Sequence, residues 1–152
     1  SSIAPGIGQP VPESPTYTLN DLEALGKVDL SIYPKGMHNI SVRQALAENR
    51  PFMVVWSTPM FCSSQICGPV LDEAKRLQDI YGKEVNFIHI EPWDLDLAQN
   101  EGRLVPTSAF KEWNLTTEPW VFIVDSEGRV STRYEGLVTY EEMEQGLWEV
   151  LD

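Results

Sequence analysis

The sequence predicts an α/β domain, a central mixed β-sheet flanked by helices and preceded by an N-terminal extension. Three observations lead there. Short apolar runs at 52–56, 85–90 and 121–124 have the length of strands that bury one or both faces. Interleaved with them are segments of helical period, Val70, Leu71, Ala74, Leu77 and Tyr81 in one, Met143, Leu147, Val150 and Leu151 in another. At 152 residues, 42% hydrophobic and with five tryptophans, the chain is one domain, large enough to bury a core without metal or disulfide staples.

The elements follow in order. Residues 1–16 carry Pro5, Pro10, Pro12 and Pro15 with little to pack, so they read as an extended linker or arm, and 17–152 as the domain. Val28 to Tyr33 alternates apolar and polar, the pattern of a half-buried strand. Ser41 and Gln44 fit a capping box for a short amphipathic helix ending near Asn49. Phe52 to Trp56 is the central strand, and the helix bearing Val70 and Leu71 follows it, with Gly82 as its cap. Val85 to Ile90 is the next strand. Glu91 to Pro106, with Pro92, Gly102 and Pro106 as breakers, reads as a long irregular loop. Thr107 caps a short helix to Trp113. Two strands at 121–124 and 130–134 flank the turn at 125–128, and Thr139 with Glu142 caps the last helix.

The net charge of −12 argues against nucleic acid and anionic membrane surfaces as partners. No stretch approaches the ~20 apolar residues of a membrane span, and no signal peptide opens the chain. The Ser-Ser start fits a boundary from which an export signal or a membrane tether has been removed. A monomer is expected.

The whole chain turns on Arg50 to Tyr81, which holds both cysteines, Cys62 and Cys67, between the central strand and a helix. A pair so close in sequence contributes little by loop closure, so redox chemistry motivates it better than stapling. The dipole and N–H groups of a helix N-terminus raise the thiolate fraction of a nearby cysteine. Strand, Trp56, turn, cysteine pair and a helix carrying Pro69 resemble the thioredoxin superfamily, above all its extracytoplasmic, redoxin-type members. The familiar spacing is C-x-x-C, whereas here four residues intervene. In a regular helix five steps give about 500° of rotation, which points the two side chains roughly 140° apart. Their Cα atoms would also exceed the ~7 Å limit of an unstrained disulfide. Pairing therefore requires Cys62 to lie in a loop, with the regular helix starting near Pro69.

The resemblance implies a thiol–disulfide oxidoreductase, working outside the cytoplasm on protein thiols and disulfides, with no cofactor and no metal. Cys62 would attack and Cys67 resolve, or the reverse if Cys67, nearer the helix start, holds the lower pKa. Pro119 matches the cis-proline that such folds set beside the cysteines, and Glu118 before it would bring a carboxylate that disfavours acidic partners. Phe61, Trp93 and Trp120, with Trp56, are candidates for an apolar rim that docks substrate, though core packing explains Trp56 equally well. His89, mid-strand, reads as a buried hydrogen-bonded histidine and His38 as a surface loop residue. Three further readings stand behind this one. They are a non-catalytic binding module with a structural disulfide, a peroxiredoxin-like protein using Thr58, and a copper chaperone using His89. Glu91, Asp94 and Asp96 read as a solvated acidic loop rather than a cation site.

Overall fold

The computed structural model describes residues 3–25, 31, 33–59 and 67–151, with only the backbone of Cys67. Ten elements occur in it. These are α1 (Leu19–Ala24), α2 (Val42–Ala47), β1 (Phe52–Trp56), α3 (Cys67–Tyr81), β2 (Asn86–Ile90), α4 (Leu95–Glu101), α5 (Ser108–Glu112), β3 (Trp120–Val124), β4 (Val130–Glu135) and α6 (Tyr140–Trp148). The strands form one sheet in the order β2-β1-β3-β4, parallel between β1 and β2 and antiparallel elsewhere.

Period-two alternation divides the core into two layers. Phe52, Val54, Trp56, Ile88, Ile90, Phe122 and Val124 face a cluster built on Phe110, Trp113 and Leu115 with Val42 and Ala45 of α2. Met53, Val55, Phe87, Val121 and Ile123 face Val70, Leu71, Ala74 and Leu77 of α3 and Met143 and Leu147 of α6. β1 is covered on both sides, which is why its five residues are all apolar.

Local chemistry sets the helix boundaries. Ser41 Oγ accepts the Gln44 N–H at 3.1 Å while the Gln44 side chain accepts the Ser41 N–H at 2.8 Å, and Thr139 with Glu142 repeats the device. Glu91 to Pro106, expected from the sequence as an irregular loop, is not irregular throughout, because Asp94 caps α4 through the Leu97 N–H at 3.0 Å and Gly102 ends it in the left-handed region, φ 65°. α1, unforeseen, buries only Leu22, too little to give a periodic signal. α3 begins at Cys67, two residues before Pro69. Most of the expected strand at 28–33 lies outside the described residues, and neither Ser31 nor Tyr33 is in a strand.

The proline-rich arm packs closely instead of reaching into solvent. Its backbone runs beside the start of β4, with Gly8 N–H donating to the Val130 carbonyl at 2.8 Å and Val130 N–H to the Gln9 carbonyl at 2.9 Å. Prolines leave carbonyls without neighbouring donors, and Arg133 uses two of these, on Ala4 and Pro5, at 3.2 and 3.1 Å. Ser14, fully buried, accepts the Trp113 indole N–H at 3.1 Å and donates its own hydroxyl hydrogen to Glu112. Ser14→Ala leaves that buried indole N–H unpaired. We expect a loss of about 1–3 kcal/mol in urea unfolding. In a double-mutant cycle with Trp113→Phe, whose own cavity cost is the same in both backgrounds, most of that loss should appear as coupling between the two sites. Additive losses would show that the hydrogen bond is not what holds the arm.

Candidate functional site

One end of the sheet gathers the residues of interest. Trp56, the last residue of β1, pairs with Ile90 of β2 and with Trp120 of β3. The chain therefore leaves β1 at Ser57-Thr58, leaves β2 at Glu91 and enters β3 from Pro119, all at one level. The Glu118–Pro119 peptide bond is cis. Cys67 is the first residue of α3, which starts from this same end; Cys62 and Phe61 lie outside the described residues.

The aromatic candidates separate. Trp56 is fully buried, 5.3 Å from Trp113 and 5.6 Å from Phe110 between ring centres, so it belongs to the core. Trp120 is half-buried and stacked on Phe122, its N–H held by Thr117 at 3.0 Å and the Arg133 guanidinium 5.7 Å from its ring centre. Trp93 is half-buried against Phe110. Its indole N–H and Glu118 Oε2 are buried and form no hydrogen bond of good geometry, yet the indole lies close enough to favour the Glu118 carboxylate. Burial dominates, and it raises the Glu118 pKa.

Beside this rim lies a buried polar network that the sequence did not announce. Glu91 Oε1 accepts the Tyr33 and Thr58 hydroxyls, each at 3.0 Å, and Oε2 takes the Trp93 backbone N–H at 3.4 Å. Burial pushes the Glu91 pKa up to about 7 against these hydrogen bonds, with Glu118 adding to the rise. Glu91 is thus not part of a solvated acidic loop, because 93% of its surface is lost to the fold of 33, 58 and 93 around it. Tyr33 is held neutral by burial and by Glu91.

His38 is likewise buried, not a surface loop residue, since its ring hydrogen-bonds that of His89. The neighbouring carbonyl fixes the donor sequence in this pair. His89 Nε2 lies 2.8 Å from the Ser57 carbonyl, which only accepts, so Nε2 carries hydrogen. In the neutral ring His89 Nδ1 then accepts the His38 Nε2–H at 3.0 Å. That leaves His38 Nδ1 as a lone pair facing the Tyr17 carbonyl at 3.5 Å, two acceptors face to face. Protonation would repair the mismatch, but burial outweighs it and lowers the His38 pKa. His89 is driven down to about 3, by burial first and then by His38. Among the described residues no group of three His, Cys, Asp or Glu is placed to hold a metal ion.

These shifts give opposite pH slopes. Glu91, raised, stabilises the fold fully below its unfolded value near 4.5, and that contribution is lost as pH rises towards 7. His89, depressed, stabilises above its unfolded value of 6.5, and that is lost as pH falls towards 3. Glu91→Gln removes only the first slope. It should gain on the order of 2 kcal/mol over the parent at pH 8, at roughly 1.4 kcal/mol per pKa unit less about 1 kcal/mol for the imperfect amide contact, and lose about 1 kcal/mol at pH 4.5, where only that contact remains. Urea unfolding across that range checks it, and a difference that does not change with pH would refute the assignment of Glu91.

No family model matches the sequence and no curated protein matches it. Solved structures do resemble the fold. A putative thiol:disulfide interchange protein DsbE from Chlorobium tepidum is similar over 98% of this chain and 100% of its own, with TM-score 0.67 and 13% identity. MTB DsbF, in mixed oxidized and reduced forms, is similar over 74% of this chain and 88% of its own, with TM-score 0.57 and 18% identity. The exposed lipoprotein thioredoxin Etrx1 of Streptococcus pneumoniae is similar over 68% and 89%, with TM-score 0.52 and 14% identity. The sheet order, the helix leaving the end of β1 and these similarities establish that the chain has a thioredoxin-like fold.

Proposed function

We propose that the chain is a thiol–disulfide oxidoreductase acting on protein disulfides outside the cytoplasm through a Cys62/Cys67 couple, with 17–152 as its thioredoxin-like domain. One observation carries this reading. Cys67 is the first residue of the 15-residue α3, at the sheet end where β1 finishes and Pro119 leads into β3. A thiolate there is favoured by the helix N-terminus and has a turned backbone beside it on which an extended partner segment can lie. The structural similarity to thiol:disulfide interchange proteins supports the chemistry, and that to an exposed lipoprotein thioredoxin supports the location.

The reduced form reacts in two displacements. A Cys62 thiolate attacks one sulfur of a partner disulfide, forming a mixed disulfide and expelling the other partner sulfur as thiolate. Cys67, deprotonated, then attacks the Cys62 sulfur and releases the second partner thiolate. Two electrons pass to the partner and the Cys62–Cys67 disulfide remains. Run backwards, the same steps oxidise a partner dithiol. Glu118, Pro119, Trp120, Trp93 and Phe61 are the proposed docking rim. The half-buried Glu118 carboxyl sets its charge, so a partner segment bearing acid groups is disfavoured.

The deciding measurement is the reduction potential of the pair, from thiol alkylation across a series of redox buffers. A reversible two-electron couple between about −120 and −270 mV is expected. In addition, the serine variant of the resolving cysteine should trap the mixed disulfide with a disulfide-bonded substrate. A bond that stays closed below about −300 mV, or thiols that never pair, would leave a structural pair in a binding module.

A further inference from the structure

A cavity of about 470 Å³ opens on the β2 side of the sheet end, between Tyr17, His38, Glu91, Trp93 and the first turn of α5 at Thr107 and Ser108. Its volume is that of a small-molecule site. The walls divide by chemistry. Leu22, Ile90, Leu95 and the Trp93 ring supply an apolar lining. The polar groups of the wall are acceptors in excess.

Two independent observations establish that excess. The His38 Nδ1 lone pair and the Tyr17 carbonyl stand 3.5 Å apart, and in the neutral pair neither can satisfy the other. Glu91, 7% exposed, has an Oε2 whose contact in the described structure is one long bond from the Trp93 N–H, at 3.4 Å. Tyr33 joins the two features, donating to Glu91 and packing 5.6 Å from the His38 ring. The ion pairs among the described residues are Arg50–Glu48, Arg76–Glu73 and Arg103–Glu101, so neither Glu91 nor Glu112 on the rim is neutralised. Arg43, also on the rim, is exposed and gives its Nε–H to the Glu13 carbonyl at 3.3 Å. An anion would meet two carboxyls against one exposed guanidinium, Arg43, and a neutral apolar guest would leave the buried acceptors unpaired.

We propose that this cavity binds a small organic cation, a primary ammonium carried on an apolar body, with Glu91, His38 Nδ1 and the Tyr17 carbonyl as its acceptors. Free amines and a lysine side chain presented by a partner share that chemistry. Its acceptors belong to other residues, and the inference does not rest on the redox reading. Occupancy favours ionised Glu91, so affinity rises with pH through the range where Glu91 titrates, near 7. The other groups facing Glu91 do not reverse this. His38 and His89 are held neutral there by burial, Tyr33 stays protonated, and Glu118 acts in the same direction on Glu91.

The test is a titration followed through backbone and indole amide resonances, using benzylammonium, benzyl alcohol and benzoate at pH 8. Benzylammonium should give saturable shifts at the Trp93 indole, Thr107 and Ser108, bind at least tenfold more tightly than either analogue, and weaken about tenfold by pH 6. Glu91→Gln should erase the preference for the cation. Ser108→Trp, at an exposed position on the mouth, should block binding without touching the buried network. Equal binding of benzyl alcohol or benzoate, no binding of benzylammonium, or binding indifferent to both substitutions would overturn the proposal. A blocked Gly-Lys-Gly tripeptide separates the sources. Tighter binding than benzylammonium assigns the site to a partner's lysine, weaker binding to a free amine.

Discussion

Everything at the functional end depends on burying β1 on both faces. Its five residues are without exposed surface, and they take their registers from a parallel neighbour on one side and an antiparallel one on the other. A slip of one residue in either pairing would exchange Met53 and Val55 for Phe52, Val54 and Trp56 between layers that are filled differently. The packing thus fixes the level of Trp56, and with it the level of Ser57, Glu91 and Pro119. Side chains that are distant in sequence meet because the strand between them has one way to pack.

That end gathers the buried ionisable groups of the described core. Trp56, Ser57, Trp93 and Glu118 each present a buried polar atom without a hydrogen bond among the described residues, and Glu91, His38 and His89 are buried ionisable groups. Each would cost stability in isolation. The two apolar layers offset that cost, and the network divides it, since Glu91 and His89 weaken the fold in opposite pH directions. Concentrating unsatisfied and titratable groups at one edge of an otherwise apolar sheet is a structural expense more readily understood as serving recognition than folding.

How much of this was legible in the sequence depended on whether the signal was local. Continuous apolar runs gave β1, β2 and β3, and the Ser41/Gln44 and Thr139/Glu142 boxes gave the helix starts, because a strand's burial and a helix's first turn are decided within a few residues. α4 was hidden by its own cap. Gly102 reads as a breaker in a string and as the left-handed terminus of a helix in three dimensions. The packing of the arm leaves no local signal because its partners, Arg133 and Trp113, are more than ninety residues away. The His38–His89 contact spans 51 residues and carries no pattern at all, and only burial distinguishes Glu91 from a solvated loop acid.

The proposed docking rim and the cavity are not electrically independent. Glu118, beside Pro119, raises the pKa of Glu91, so charge on one carboxyl opposes charge on the other. A cation held at Glu91 relieves that opposition, and so does a basic partner segment lying along Glu118. By linkage, whatever one occupant does for the other's affinity is returned in equal measure. The coupling needs no movement of the sheet, only two carboxyls that share a poorly solvated sheet end. With a net charge of −12 over the chain, the same sign of partner is drawn towards both places. A basic segment at Glu118 and an ammonium at Glu91 would each be drawn by both carboxyls, but their like charges would make each weaken the other's binding, whereas an acidic partner would be opposed by both carboxyls.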